Sequence, residues 1–415
     1  MTTTSVPVRT KLSRAQWIAL TLLVLSVFIN YVDRGNLSVA APPLQTELSL
    51  SPEQLGLLLS GFFWTYAAFQ LFGIAGWLVD RFDVGLIYAG GYLLWSGATA
   101  ATGLVNGFAA LFALRLLLGV GESVAYPAYS KILAGHFPEH HRGFANALID
   151  AGSKMGPALG TLMGGVLIAR FGWRPFFIVL GAASLIWLLP WMRWMPRGHG
   201  AATPCAHGGP GIGQILGNRS AWGTFAGLFC GNYIWYFLVT WLPSYMVKSR
   251  HFSMDKMAVF GSVAFLVIGL SSAFCGWLSD HWIAAGGSPT LVRKTFTGAG
   301  LGLATIILPV AIVRSENLSM ALLMIAGICV GMFSSNHWAI TQTLSGPQAA
   351  GRWTSLQNGF GNLAGVTAPW LTGFLVARTG SFVPAFAVVA AISLTGGAMY
   401  LFVIGRVEQV PWERS

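Results

Sequence analysis

The chain has 415 residues, 54% of them hydrophobic and only 9% charged, and its mean hydropathy is +0.64. Soluble domains carry about 25% charged residues, so this composition excludes a soluble enzyme or nucleic-acid-binding fold and indicates an all-α polytopic membrane protein. The net charge of +11 reads as the Lys and Arg excess of cytoplasmic loops, not as a nucleic-acid footprint. In chain order, residues 1–14 form a basic cytoplasmic tail holding Arg9, Lys11 and Arg14. The apolar run that follows is long and has no small-residue cleavage site, so it reads as a retained first helix and not as a signal peptide. Stretches of spanning length, about 20 residues, predict twelve helices: 15–42, 54–79, 84–104, 108–135, 140–169, 173–195, 220–247, 256–282, 292–313, 318–345, 352–377 and 382–405. They fall into an N-terminal six-helix half (15–195) and a C-terminal half (220–405). A polar linker at 196–219 joins them, and a short tail follows at 406–415.

The halves echo one another. Gly76-Trp77-Leu78-Val79-Asp80 returns as Gly276-Trp277-Leu278-Ser279-Asp280, each copy ending the second helix of its half. Leu167-Ile168-Ala169-Arg170 returns as Leu375-Val376-Ala377-Arg378, each ending a fifth helix. Repeated halves place a transport site between them near the middle of the membrane. With the N-terminus inside, thirteen of the 24 Lys and Arg fall on cytoplasmic segments and seven on the opposite side. The other four, Arg34, Arg115, Lys131 and Lys154, lie within helices. This bias predicts both termini in the cytoplasm.

Polar groups inside the apolar runs mark the candidate site, because ionisable residues at membrane depth face an interior or a water-filled path. The first helix carries Asn30-Tyr31-Val32-Asp33-Arg34-Gly35-Asn36. Asn30 and Arg34 share a face, and Asp33 is free to turn toward the fourth helix or the domain interior. Arg115 and Glu122 lie two turns apart on the fourth helix, roughly 10 Å along its axis, either as an internal ion pair or as a cation beside a proton carrier. Asp150 and Lys154, four apart on the fifth helix, suit a mutual pair or a substrate contact by Lys154. Tyr66 is either packing or a donor to substrate. The run Ser334-Ser335-Asn336-His337 and the group Gln357, Asn358 and Asn362 imply a polar cavity in the C-terminal half. Cations in the first half and neutral hydrogen-bonding groups in the second suit a solute with a carboxylate at one end and hydroxyls at the other. Cys205, Cys230, Cys275 and Cys329 show neither metal nor redox spacing. No catalytic constellation, phosphate-cradling loop, metal site or cofactor motif is apparent, so no enzymatic activity and no cofactor are expected.

Gly76-x-Leu78-x-Asp80-Arg81 resembles the first part of the loop motif of the major facilitator superfamily, with Asp280 in the second half as its echo. Asp83, Val84 and Gly85 stand where that motif usually has Gly and two basic residues. Tyr31-x-Asp33-Arg34-x-Asn36, together with Arg115-x6-Glu122-x4-Pro127 and Asn358-x3-Asn362, resembles more narrowly the organic anion:cation symporters. That branch includes bacterial galactonate and hexuronate transporters, sialin and vesicular glutamate transporters. The resemblance spans nearly the whole chain. It implies the major facilitator fold, proton coupling by Asp33 and Glu122, and location in a bacterial inner membrane as a monomer in the lipid bilayer. Arg34 is the better candidate for a substrate carboxylate, since a guanidinium offers two parallel hydrogen bonds; Arg115 shares that task or tunes Glu122. The expected function is import of a small organic anion, a sugar acid such as a hexuronate or aldonate, with protons by alternating access. Gly152-x3-Gly156-Pro157-x2-Gly160 partly resembles the fifth-helix motif of efflux antiporters, with Thr161 where a second Gly is usual. Proton-coupled efflux of a drug or metabolite is the alternative, followed by a non-transporting sensor.

Overall fold

The structure is a computed structural model that describes residues 12–137, 139–195 and 210–412, without the side chains of residues 80, 134, 139–144, 147, 347 and 348. Most of the expected N-terminal tail, most of the linker with Cys205, and the last three residues of the C-terminal tail therefore lie outside the described residues. The described helices are α1 (Arg14–Glu47), α2 (Pro52–Leu71), α3 (Ile74–Arg81), α4 (Val84–Thr102), α5 (Phe108–Ser123), α6 (Ala125–His136), α7 (Glu139–Phe171), α8 (Trp173–Leu185) and α9 (Leu188–Trp194) in the first half. A short α10 (Ile212–Leu216) precedes α11 (Arg219–Lys248), α12 (Met254–Ala284), α13 (Pro289–Lys294), α14 (Gly300–Leu303), α15 (Ile307–Ile312), α16 (Glu316–Ser334), α17 (His337–Thr379) and α18 (Val383–Ala398).

Local chemistry sets many of these boundaries. Ser13 and Gln16 form a capping box at the start of α1, as do Ser51 and Gln54 at α2, each pair satisfying two backbone donors that the helix leaves open. Asp83 caps α4 by accepting the Leu86 N–H at 3.0 Å. These caps hold even where α4 begins on residues that depart from the loop motif.

The twelve expected spans follow from the helices, with breaks inside several: the sixth divides into α8 and α9 and the ninth into α13, α14 and α15. The second span divides into α2 and α3 at Gly73, whose φ of +68° is left-handed. The fourth divides into α5 and α6 at Val124. The tenth divides at Asn336, the N-cap of α17. The loop expected between the tenth and eleventh spans is reduced to a kink at Gly346 (φ +61°, ψ 175°), across which α17 continues. A left-handed residue costs glycine no steric penalty, so one residue turns the chain there. Among the described residues nine helices are long and apolar enough to cross a membrane. The second, third and fifth spans are not among them. With twelve spans both chain ends fall on one face, here called the terminal face; the opposite one is the far face.

Close packing of small residues holds the first half together. Gly152, Gly156 and Gly160 of α7 lie directly against α1: an added Cβ at Gly156 would sit 2.5 Å from the Tyr31 Cβ and 2.9 Å from the Phe28 carbonyl oxygen. Such small-residue rows let helices approach where lipid supplies no hydrophobic drive, and packing against α1 accounts for the partial fifth-helix motif. Aromatic stacks fill the interior, with Tyr92 on Trp187 at 4.2 Å and Trp187 on Trp191 at 4.9 Å between centroids.

The two halves meet along two seams, α2 against α17 and α7 against α12, with α1 also touching α11. Toward the far face the α2–α17 seam brings backbone against backbone, whereas nearer the terminal face Gly365 and Gly359 meet only the Phe63 and Leu71 side chains. A Cβ on Gly56 would sit 2.7 Å from the Pro369 carbonyl oxygen, and one on Gly373 would sit 2.5 Å from that of Pro52. Along the second seam the corresponding approach loosens from 2.4 Å at Gly165–Ala258 to 3.0 Å at Gly261–Thr161 and 3.4 Å at Gly269–Lys154. Lys248 of α11 also donates to Gln45 of α1 across the far face. Gly76 and Gly351, at the terminal face, have nothing within 4 Å of an added Cβ. The molecule is thus closed at the far face.

Candidate functional site

The charged residues of the first half converge in its interior. Asp33, Arg34, Arg115 and Glu122 are 0%, 6%, 4% and 0% exposed. Arg34 donates from Nε to Glu122 Oε2 at 2.9 Å. Of the two alternatives, an internal Arg115–Glu122 pair does not form: two helical turns keep those two apart along α5, while α1 delivers Arg34 to Glu122 from across the bundle. Arg115 stands instead over the Phe62 ring at 5.5 Å, within electrostatic range of both Asp33 and Glu122. Asp33 turns into the domain interior, where its Oδ1 accepts from Thr99 Oγ1 at 3.2 Å and from Asn36 Nδ2 at 3.1 Å.

Arg34 lies under an aromatic canopy. Its guanidinium carbon is 4.7 Å from the ring centre of Tyr31, 5.2 Å from Phe62 and 4.8 Å from Tyr66. Rings attract a cation through their quadrupole, more strongly where water is excluded. Tyr31 is itself held by a hydroxyl contact with Tyr126 at 3.2 Å. Even so the site is under-satisfied. Arg34 Nη2, Glu122 Oε1, Asp33 Oδ2, Arg115 Nε and Asn36 Oδ1 are buried with no hydrogen-bond partner, and so are Tyr92 OH and Ser96 Oγ nearby on α4. Buried polar groups are nearly always paired, and clusters of exceptions mark functional sites. Arg34 Nη2 and Glu122 Oε1 are a donor and an acceptor with capacity left for a polar guest.

The second half contributes a row of hydrogen bonds. Tyr236 of α11 packs at a tilt against Phe63, 4.4 Å between ring centres, and donates to Asn362 Oδ1 at 2.6 Å. Asn362 in turn donates to the Asn358 carbonyl oxygen at 2.8 Å and to Asn358 Oδ1 at 3.1 Å. Tyr236 is also an electrostatic neighbour of Arg34, which puts the row against the canopy. Gln357 accepts from Thr341 at 2.7 Å. Asn336 accepts at Oδ1 from Ser279 at 2.8 Å and donates from Nδ2 to Ser335 at 2.9 Å, bonds that lie at the break before α17. His337 donates from Nδ1 to the Ser334 carbonyl at 3.0 Å. It and Lys154 lie across the α7–α12 seam from one another as electrostatic neighbours, apart from the Arg34 cluster.

The loop-motif residues stand at the terminal face. Arg81 and Asp280 are exposed, and the Asp80 side chain lies outside the described residues. Lys131 of α6 donates to the Val79 carbonyl at 2.6 Å, tying the end of α3 to the fourth span beside Gly76. Phe62, Thr99, Tyr126 and Tyr236 escape sequence reasoning, since aromatic and hydroxyl residues in an apolar helix look like packing. Tyr236 alone had a signal, as one of the polar and aromatic side chains spaced along α11 from Asn232 onward. Cys230, Cys275 and Cys329 are buried free thiols.

Comparison with known proteins fits this geometry. Residues 23–358 match the family model described as Major Facilitator Superfamily. The chain is 30% identical to a probable galactarate/D-glucarate transporter of Bacillus subtilis (strain 168), over 96% of this chain and 94% of that protein. It is 31% identical to a probable sulfoacetate transporter of Cupriavidus necator, over 92% of each. It is 28% identical to a D-galactonate transporter of Escherichia coli O6:H1, over 96% of this chain and 98% of that protein. Its fold matches a crystal structure of a bacterial homologue of the human lysosomal transporter Spinster, in an inward-facing and occupied conformation. That match has a TM-score of 0.80 at 18% identity, covering 95% of this chain and 97% of that one.

Proposed function

This chain belongs to the major facilitator superfamily, and from that premise we propose that it is a proton-coupled symporter importing a small organic anion of the sugar-acid type by alternating access. The observation that carries this reading is the buried Arg34–Glu122 pair, whose Nη2 and Oε1 are unpartnered beneath aromatic rings at the junction of the halves. The relatives named above, a D-galactonate transporter and the probable transporters of galactarate/D-glucarate and of sulfoacetate, support the same class of solute.

In this mechanism Glu122 and the substrate carboxylate compete for one guanidinium. With Glu122 ionised, the pair is neutral and Arg34 has little charge to offer. A proton on Glu122 removes its charge and leaves Arg34 to take the substrate carboxylate through two parallel hydrogen bonds. Proton and anion thereby enter the buried site without adding net charge, which low-dielectric surroundings would penalise. Asp33 is the second protonatable group, held by Thr99 and Asn36 and electrostatically coupled to Glu122 and Arg115. The row Tyr236–Asn362–Asn358 supplies hydroxyl recognition from the other half, so a loaded substrate bridges the two. Rocking of the halves about that bridge opens each face in turn, with the Gly56–Gly373 seam and the Gln45–Lys248 bond closing the far one. The Lys and Arg bias places the terminal face in the cytoplasm of a bacterial inner membrane, so the closed face is the outer one.

A thermal-shift screen of carboxylates on the purified protein, repeated with Arg34→Ala, tests the reading. Sugar acids raise the melting temperature of the parent protein, and Arg34→Ala loses that response. Stabilisation by apolar cations instead of acids, undiminished in Arg34→Ala, would support the efflux reading.

A further inference from the structure

One partly buried cation at the seam has no role in the mechanism above. Lys154 projects from α7 on the side away from Gly152 and Gly156, which pack on α1, and its Cβ faces Gly269 of α12 at the 3.4 Å approach already noted. Its Nζ stands 5.3 Å from the ring centre of Trp235. Its acid neighbour, Asp150, is one turn back at 4.0 Å with a side chain 67% exposed, against 25% for Lys154. At 4.0 Å this ion pair is long, so the ammonium keeps hydrogen-bonding capacity for another anion. Opposite it His337 is fixed, with its ring between Phe333 at 5.0 Å and Trp338 at 4.9 Å. Because Nδ1 donates to the Ser334 carbonyl, Nε2 is the acceptor of the neutral ring.

The position of Lys154 relative to Arg34 can be read from helix register. α1 and α7 run parallel, with Gly152 against Val24 and Val27 and Gly156 against Phe28 and Tyr31. Lys154 is therefore level with residues 27 and 28 of α1, and Arg34 lies six to seven residues farther on. At 1.5 Å per residue the two cations are separated by ~10 Å along the axes. Both side chains lean toward the helix N-termini, which preserves that spacing. Trp235 and Tyr236, consecutive on α11, link the two positions: the first lies under Lys154 and the second against the Arg34 canopy. An extended six-carbon chain, at about 1.5 Å per bond, puts its terminal carbons roughly 6 Å apart, and the acid oxygens beyond them reach both cations.

We propose that Lys154, Trp235 and His337 form a second oxyanion subsite, so that the protein selects dianions with an acid group at each end over monoanions. This rests on the reading of Arg34 as the first carboxylate site. Lys154 takes the second carboxylate or a sulfonate as a point charge, Trp235 shields it from water, and His337 accepts from an adjacent hydroxyl. Asp150, the 4.0 Å partner of Lys154 and an electrostatic neighbour of His337, borders the subsite, and the bound anion competes with it for the ammonium.

The test is competition for uptake in proteoliposomes by a six-carbon aldarate and by the aldonate of matching stereochemistry, for the parent protein, Lys154→Met and Lys154→Arg. The parent protein prefers the aldarate by roughly tenfold or more, the scale on which truncating one member of a close charge pair acts. Lys154→Met erases that preference while leaving the aldonate within about twofold, and Lys154→Arg restores at least part of it by keeping the charge. Equal losses for both acids, or an unchanged preference in Lys154→Met, overturn the subsite and leave the Arg34 reading intact. Failure of both acids to compete in the parent protein overturns both.

Discussion

Glu122→Gln isolates the coupling step, because it keeps the shape of the side chain and removes the charge facing Arg34. In the resting protein the buried guanidinium loses its partner at 2.9 Å. Breaking a buried pair by removing one member destabilises by about 3–5 kcal/mol, so the empty variant melts lower than the parent. A bound anion supplies the missing charge, and its stabilising shift is larger in the variant than in the parent. The transport consequence is quantitative. Each coupled proton adds about 1.4 kcal/mol per pH unit, a factor of ten in the equilibrium accumulation ratio. With Asp33 and Glu122 both coupled and the membrane potential clamped at zero, one pH unit supports roughly hundredfold accumulation; with Glu122 lost it supports about tenfold. Anion exchange across the membrane needs no net proton movement and continues in the variant. The assay is gradient-driven uptake in proteoliposomes beside counterflow on the same preparation. Full accumulation at the parent's pH dependence by Glu122→Gln would refute the assignment of a proton to this residue.

Further outcomes follow from other contacts. Tyr236→Phe deletes the 2.6 Å bond to Asn362, and the loss of about 1 kcal/mol for a neutral hydrogen bond weakens sugar-acid binding roughly fivefold, read by titration calorimetry; unchanged affinity would remove Tyr236 from the site. Gly373→Val places methyl groups against the Pro52 carbonyl at an approach of 2.5 Å, so the far face no longer closes. A cysteine introduced at that seam then reacts faster with a membrane-impermeant thiol reagent. Oxidising the double variant Gln45→Cys and Lys248→Cys, whose parent side chains bond across the same face, arrests transport until a reductant is added. Trp353→Ala removes a fully buried indole whose Nε1 donates to Thr224 at 3.0 Å and destabilises the second half by about 3–5 kcal/mol, seen as a lower melting temperature in detergent with the Arg34 response preserved.

The sequence by itself determined the class of the molecule. Twelve apolar runs and the echo of Gly76–Asp80 in Gly276–Asp280 sufficed because lipid admits only internally hydrogen-bonded spans, and that rule acts on composition, residue by residue. It also singled out Asp33, Arg34, Arg115 and Glu122, since a charge at membrane depth is expensive wherever it ends up. Tertiary structure decided who meets whom. Arg115 and Glu122 look like partners by spacing, yet the bond goes to Arg34, 88 positions away, because the approach of α1 to the fourth span is set by packing that no local pattern records. Asn336 and Asn362 look alike in sequence, but one bonds Ser279 at a helix break and the other takes the Tyr236 hydroxyl. Lys154 and Asp150 form the pair their spacing suggests, at 4.0 Å, but only the bundle puts the Lys154 Cβ against Gly269 of α12. Helix period puts a residue on a face, whereas the direction that face looks depends on every other helix in the bundle.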